Sequence, residues 1–126
     1  MKILVVDDEQ DVLDLFKDLF IKKNYQVECA ISGKSALEMM DKNKPDIVLL
    51  DIRMPEMDGL EVLDETKKRY PSIDVIVLTA YGYDDKLINT AIEKGASGYI
   101  SKNLPLQQIV NTFNALLRTI SLRKKS

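Results

Sequence analysis

The chain contains no histidine, which removes the commonest metal ligand and general base and so excludes a histidine-dependent metal centre or catalytic triad. Its one cysteine, Cys29, cannot form an intramolecular disulfide, and within "QVECAI" it is expected as a buried structural thiol, not a nucleophile. No apolar run approaches the roughly 20 residues that span a bilayer. The N-terminal "MKILVVDD" also lacks the small-residue cleavage pattern of a signal peptide. A cytoplasmic location without membrane contact is therefore expected. Net charge is small too: at −2 it provides no general attraction to nucleic acid, so direct nucleic-acid binding by this domain is not expected.

What is present describes an ordinary globular domain. The 126 residues suit one domain, and 45% hydrophobic with 30% charged residues can build a core without a membrane or disordered class. Five β-branched runs, "KILVVD", "QVECAI", "DIVLLD", "DVIVLT" and "SGYISK", read as strands. Continuous apolar stretches at 3–6, 47–50 and 75–78 indicate strands buried on both faces, whereas the more mixed second and fifth runs suit sheet edges. Between them lie apolar stripes at helical spacing: Val12, Phe16, Leu19 and Phe20; Ala36, Leu37 and Met40; Leu60, Leu63 and Thr66; Leu87, Ile88, Ala91 and Ile92. A final stripe runs through Leu106, Ile109, Val110, Phe113, Leu116, Leu117 and Ile120. Ser32 is placed to cap a helix start, Gly95 to cap a helix end, and Pro71 follows another end. The expected fold is α/β, a (βα)₅ doubly wound parallel five-stranded sheet with right-handed crossovers and helices on both faces.

In such a sheet, ligands are expected beyond the carboxyl ends of the strands, at the point where strand order reverses. The first strand delivers Asp7 and Asp8 to that edge, the third Asp51, the fourth Thr79 and the fifth Lys102. Two carboxylates about 5 Å apart repel by roughly 3 kcal/mol at an effective dielectric of 20, so three together call for a compensating cation. Oxygen donors without histidine or cysteine select a hard ion, which points to Mg²⁺ with Mn²⁺ as substitute. One carboxylate can then attack phosphorus, with the ammonium and the hydroxyl serving the phosphoryl oxygens.

The motifs "VVDDE", "DIVLLDIRMPEMDG", "VIVLTA" and "GYISK" occur in the order and at the spacing of the response-regulator receiver domain, and the chain resembles that family over essentially its whole length. Each motif alone is weak; the four together are specific. The resemblance implies a flavodoxin-like receiver fold with strand order 2-1-3-4-5. It also implies a phosphorylation-activated signalling switch of two-component systems, a regulatory phosphoacceptor and not a turnover enzyme. Carried over position by position, Asp51 is the phosphorylated residue, Asp8 a direct metal ligand and Asp7 a ligand through water. The backbone carbonyl of Arg53 completes the protein ligands, and Pro55 and Gly59 shape the loop after Asp51. Thr79 and Lys102 contact the phosphoryl group, and Thr79 with Tyr99 forms the switch that alters the surface of the fourth helix, fifth strand and fifth helix. Implied partners are a sensor histidine kinase or phosphotransfer protein, an output domain or target protein, and a candidate homodimer on phosphorylation.

Two other classes share parts of this pattern. A haloacid-dehalogenase-type phosphatase shares the aspartate nucleophile but has a second aspartate where Arg53 stands. A flavodoxin-type cofactor binder needs a phosphate-cradling loop where this chain has "DDEQD", which repels phosphate. An interaction module that takes no phosphate is disfavoured by the complete residue set. The family commonly follows its lysine with a cis proline, whereas Asn103 follows Lys102 here. A cis bond before a non-proline costs about 3 to 4 kcal/mol, so a trans peptide is expected. Arg53 and Tyr81 are expected to obstruct the water that would remove the phosphoryl group. The receiver domain is assigned to residues 1–120, and 121–126, within "RTISLRKKS", to a basic tail or the start of a linker to an output domain.

Overall fold

The computed structural model describes residues 1–54, 58–80 and 85–125. Pro55 and Tyr81 lie outside the described residues. The elements alternate: β1 (Lys2–Val6), α1 (Gln10–Lys22), β2 (Gln26–Ala30), α2 (Gly33–Lys42), β3 (Ile47–Asp51), α3 (Gly59–Arg69), β4 (Asp74–Thr79), α4 (Asp85–Glu93), β5 (Gly98–Ser101) and α5 (Leu106–Lys125). All pairings are parallel, in the order β2-β1-β3-β4-β5. The two mixed runs are thus the edge strands, as their composition indicated.

Side chains alternate across a strand, so each apolar run supplies two cores at once. Ile3, Val5, Ile47, Leu49, Ile76 and Leu78 face α1 and α5, where Phe16, Phe20 and Phe113 form an aromatic cluster. Leu4, Val6, Val48, Leu50, Val75 and Val77 face the other way, against Ala36, Met40, Val62, Leu63 and Ala91 of α2, α3 and α4. The Ser32 hydroxyl accepts from the Ser35 amide to cap α2. Gly95 takes a φ of +105° just after α4, a conformation that needs glycine. No helix among the described residues is long and apolar enough to cross a membrane.

Three expectations shift. Ile92 and Leu106 are 46% and 42% exposed instead of core. The helix leading to an edge strand has sheet beneath only one flank, and Leu106 is the first residue of α5, on the side away from the core that Leu104 and Ile109 join. Cys29 is half-buried for the same reason, since it lies on edge strand β2. Burial still pushes its thiol up, which agrees with an unreactive role.

Residues 121–125 continue α5. The basic side chains of Arg123 and Lys124 complement the helix dipole, and they also meet a specific partner. Arg123 and Lys124 pair with Asp74 at the start of β4, Lys124 Nζ at 3.0 Å, and Ser97 Oγ donates to the same carboxylate at 2.8 Å. Burial alone would push the Asp74 carboxyl up; the hydrogen bonds from Lys124, Ser97 and Arg123 outweigh it and hold it below the usual value. A lowered carboxylate contributes stability that is present above the ordinary value and lost as pH falls through the folded one. The last turn of α5 is therefore expected to loosen in acid. Hydrogen-exchange protection factors for residues 119–124 should drop at about pH 3 relative to about pH 6 more than those of the β3 core. Equal loss in both regions would refute the clasp.

Candidate functional site at the carboxyl edge of the sheet

Parallel strands end on one edge, and the order of this sheet reverses between β1 and β3. The crossovers leaving these two adjacent strands run to opposite sides, which opens a crevice between their ends. The register pairs Val6 with Leu50, so the next residues, Asp7 and Asp51, come side by side. Carboxylate oxygens of Asp7, Asp8 and Asp51 lie within 4.8 Å of one another. Asp7 is fully buried, Asp51 is 4% exposed, and Asp8 is partly open to solvent.

Lys102, just past β5, reaches over this crevice. Its ammonium lies 2.7 Å from Asp7 Oδ2, 3.0 Å from Asp51 Oδ2 and 3.9 Å from Glu9 Oε1. Burial lowers its affinity for the proton, but the bonds to Asp7 and Asp51 more than restore it, so the amine stays charged. The other oxygens are held by backbone: the Glu9 amide donates to Asp7 Oδ1 at 3.0 Å and the Arg53 amide to Asp51 Oδ1 at 3.1 Å. Asp7 Oδ2 is buried with no hydrogen bond of its own beyond that ion pair. Burial pushes the Asp51 carboxyl up to about 6, assisted by Asp7 and opposed by the Arg53 amide and Lys102.

Thr79 ends β4 at 2% exposure and pairs in register with Ser101. Tyr99 lies on β5 with its side chain turned outward, 45% exposed. No peptide bond among the described residues is cis, so Lys102–Asn103 is trans as expected. The missing proline does not hold Lys102 away from Asp51. Sequence reasoning missed Glu9 as a further acid near Lys102, although it belongs to the quoted "DDE" run, and it missed the side-chain bond of Asn103 to the Ala80 carbonyl.

Gly59 opens α3 beneath this site. A Cβ there would clash with the Asp51 carbonyl oxygen and would meet the Ile52 Cα at 2.5 Å, both backbone atoms that cannot rotate away. Gly59→Ala should therefore cost about 3 kcal/mol, at the upper end for overpacking. A denaturant midpoint within error of wild type would show that the β3–α3 turn yields more easily than this geometry allows.

The donor set fits a hard divalent cation: three carboxylates, no nitrogen or sulfur ligand, a buried Asp7 oxygen that apart from the Lys102 ion pair has no hydrogen bond, and one acid on the solvent side. A five-stranded flavodoxin-like sheet with an acidic crevice at its switch point, faced by a lysine, is the architecture of receiver domains. The chain belongs to the response regulator receiver domain family, whose sequence pattern matches residues 3–114. Among solved structures it is similar to NtrX from Brucella abortus, with 31% identity and a TM-score of 0.89 over 98% of this chain. It spans 28% of that NtrX chain. It is similar over 97% of both chains to a CheY-like receiver domain protein from Methanospirillum hungatei, with 26% identity and a TM-score of 0.87. A receiver domain protein from Clostridium thermocellum shares 32% identity over 98% of this chain and 96% of its own, with a TM-score of 0.85. Receiver domains are regulatory phosphoacceptors of two-component systems, which sets the phosphatase and flavin-binding readings aside.

Proposed function

We propose that Asp51 accepts a phosphoryl group from a sensor histidine kinase or phosphotransfer protein, and that the resulting aspartyl phosphate switches the surface of α4, β5 and α5. The observation that carries this reading is the buried Asp51 carboxylate with the Lys102 ammonium 3.0 Å away and two further acids within 4.8 Å. Asp7, Asp8, Asp51 and the Arg53 carbonyl would hold Mg²⁺, or Mn²⁺ in its place, which when bound neutralises charge on the phosphoryl oxygens.

The chain's own groups do the rest. Asp51, ionised above about pH 6, attacks phosphorus with one oxygen, forming a P–O bond as the donor's bond to phosphorus breaks. The Arg53 amide holds the other oxygen and so orients the attacking one. Lys102 is freed from Asp51 as that carboxylate is esterified, and its ammonium turns to the phosphoryl oxygens. The Thr79 hydroxyl donates to another of these oxygens. As Thr79 moves inward it vacates space for the ring of Tyr99, whose outward placement suits the unphosphorylated state. Taking the switch from 1:99 to 99:1 needs about 5.5 kcal/mol of differential stabilisation, toward which a doubly charged group with new charge-assisted bonds supplies a share. The changed face would meet an output domain, a target protein or a second copy of the chain.

Incubation with Mg²⁺ and a small acyl phosphate should add one phosphoryl group, and hydroxylamine should remove it and leave a hydroxamate at Asp51. Chelation of the metal should stop uptake. A hydroxylamine-stable phosphate, or a hydroxamate at another residue, would refute the assignment.

A further inference from the structure

Two consecutive carbonyls, that of the last residue of β4 and that of the residue after it, are bound by two consecutive residues past the end of β5. The Lys102 amide donates to the Thr79 carbonyl at 2.8 Å, and the Asn103 side-chain amide donates to the Ala80 carbonyl. On its other side the Asn103 backbone N–H donates to Ser101 Oγ at 3.2 Å. The turn carrying Lys102 is thereby held from both flanks. A lysine has four rotatable bonds and much rotamer entropy to lose, so the direction in which its root points governs how often its ammonium meets the acids. Here it meets Asp7 at 2.7 Å and Asp51 at 3.0 Å. A proline at position 103 could supply neither the backbone N–H nor the side-chain donor.

We propose that Asn103 is a positioning residue that acts through Lys102: its side-chain amide ties the β5–α5 turn to Ala80 and so aims the ammonium at Asp51 and Asp7. This rests on reading Asp51 as the phosphoacceptor and Lys102 as the group that serves its phosphoryl oxygens. Asn103 is exposed, so burial does not account for an asparagine there. Its removal also leaves the core untouched, and the effect on chemistry can be read without unfolding.

The test is a cycle of Asn103→Ala and Lys102→Met, measuring the maximal rate of phosphoryl uptake from a small acyl phosphate at saturating Mg²⁺, together with the half-saturating donor concentration. Loss of one hydrogen bond predicts that Asn103→Ala lowers the maximal rate about fivefold. The half-saturating concentration and the melting temperature should stay near wild type. In the Lys102→Met background Asn103→Ala should cause no further loss, because the group it aims is gone. Asn103→Asp, equal in shape but unable to donate, should behave at least as badly as alanine. A second readout needs no phosphate: in the metal-free protein at fixed neutral pH, Asn103→Ala should move the Lys102 ammonium, followed by nitrogen NMR, toward the chemical shift of an unpaired lysine. An unchanged rate, or equal losses in both backgrounds, overturns the proposal, as does an unmoved Lys102 signal. If the wild-type chain takes no phosphoryl group, the acceptor reading fails, and the Lys102 signal alone then decides whether Asn103 positions it.

Discussion

Asp51→Asn is expected to abolish phosphoryl uptake and, in the same protein, to raise the stability of the metal-free fold at neutral pH. The first effect follows because an amide nitrogen and a neutral carbonyl replace the only nucleophilic oxygens at the end of β3. The second follows from burial. Desolvation lifts the Asp51 carboxyl from 3.8 to about 6, so the folded state holds its proton more tightly than the unfolded chain does. For a raised carboxylate, stability is fully present below the unfolded value and is lost as pH rises through the folded one. Above about pH 7 the ionised group therefore costs on the order of 2 to 3 kcal/mol, the rise converted at 1.36 kcal/mol per unit. Asparagine cannot ionise and avoids that cost, while Lys102 keeps its partner Asp7 at 2.7 Å. Urea titrations in a chelator should show the variant more stable than wild type at about pH 7.5, with the gap closing near pH 4 where wild type is protonated. A variant no more stable at neutral pH would mean that Asp51 is not strained by burial.

Lys102→Met should act in the opposite direction and couple stability to metal. Asp7 and Asp51 are 0% and 4% exposed, and the ammonium between them is the positive charge closest to both. Removing one member of a buried ion pair typically costs about 3 to 5 kcal/mol because the remaining charge is left uncompensated. The metal-free variant is thus expected to lose about 3 kcal/mol and roughly 10 °C of melting temperature. The same loss frees both carboxylates from a competing cation, so Mg²⁺ affinity should rise about tenfold, equal to about 1.4 kcal/mol. Adding Mg²⁺ should then recover most of the lost melting temperature through linkage, although phosphoryl uptake stays slow without the ammonium. Calorimetry with and without the metal checks both halves. Unchanged or weaker Mg²⁺ binding would show that Lys102 does not compete for these oxygens.

Much of this site is legible in the sequence. The runs "ILVV", "IVLL" and "VIVL" are apolar at every position, which only strands covered on both faces require. Each ends in a polar residue, Asp7, Asp51 or Thr79, that the parallel arrangement must deliver to one edge. The edge positions of β2 and β5 were legible from their mixed composition in the same way. These are local signals, carried by alternation and periodicity within a few residues. The stripe containing Ile92 shows their limit: spacing says which residues share a helix face, not how much sheet lies beneath that face. The half-burial of Cys29 has the same origin.

The sequence by itself determined the alternating elements, the parallel sheet, and the arrival of three acids, a hydroxyl and a lysine at one edge. Only the tertiary structure decided which charges meet. Lys102 bridges Asp7 and Asp51, the latter 51 positions away. Asp74 is clasped by the end of α5 from 49 positions away, and Asn103 finds the Ala80 carbonyl across the sheet edge. The physical reason is that such pairs have no periodicity of their own. Their geometry depends on the lengths of the crossovers and on where packing sets each helix, quantities that accumulate over the whole chain.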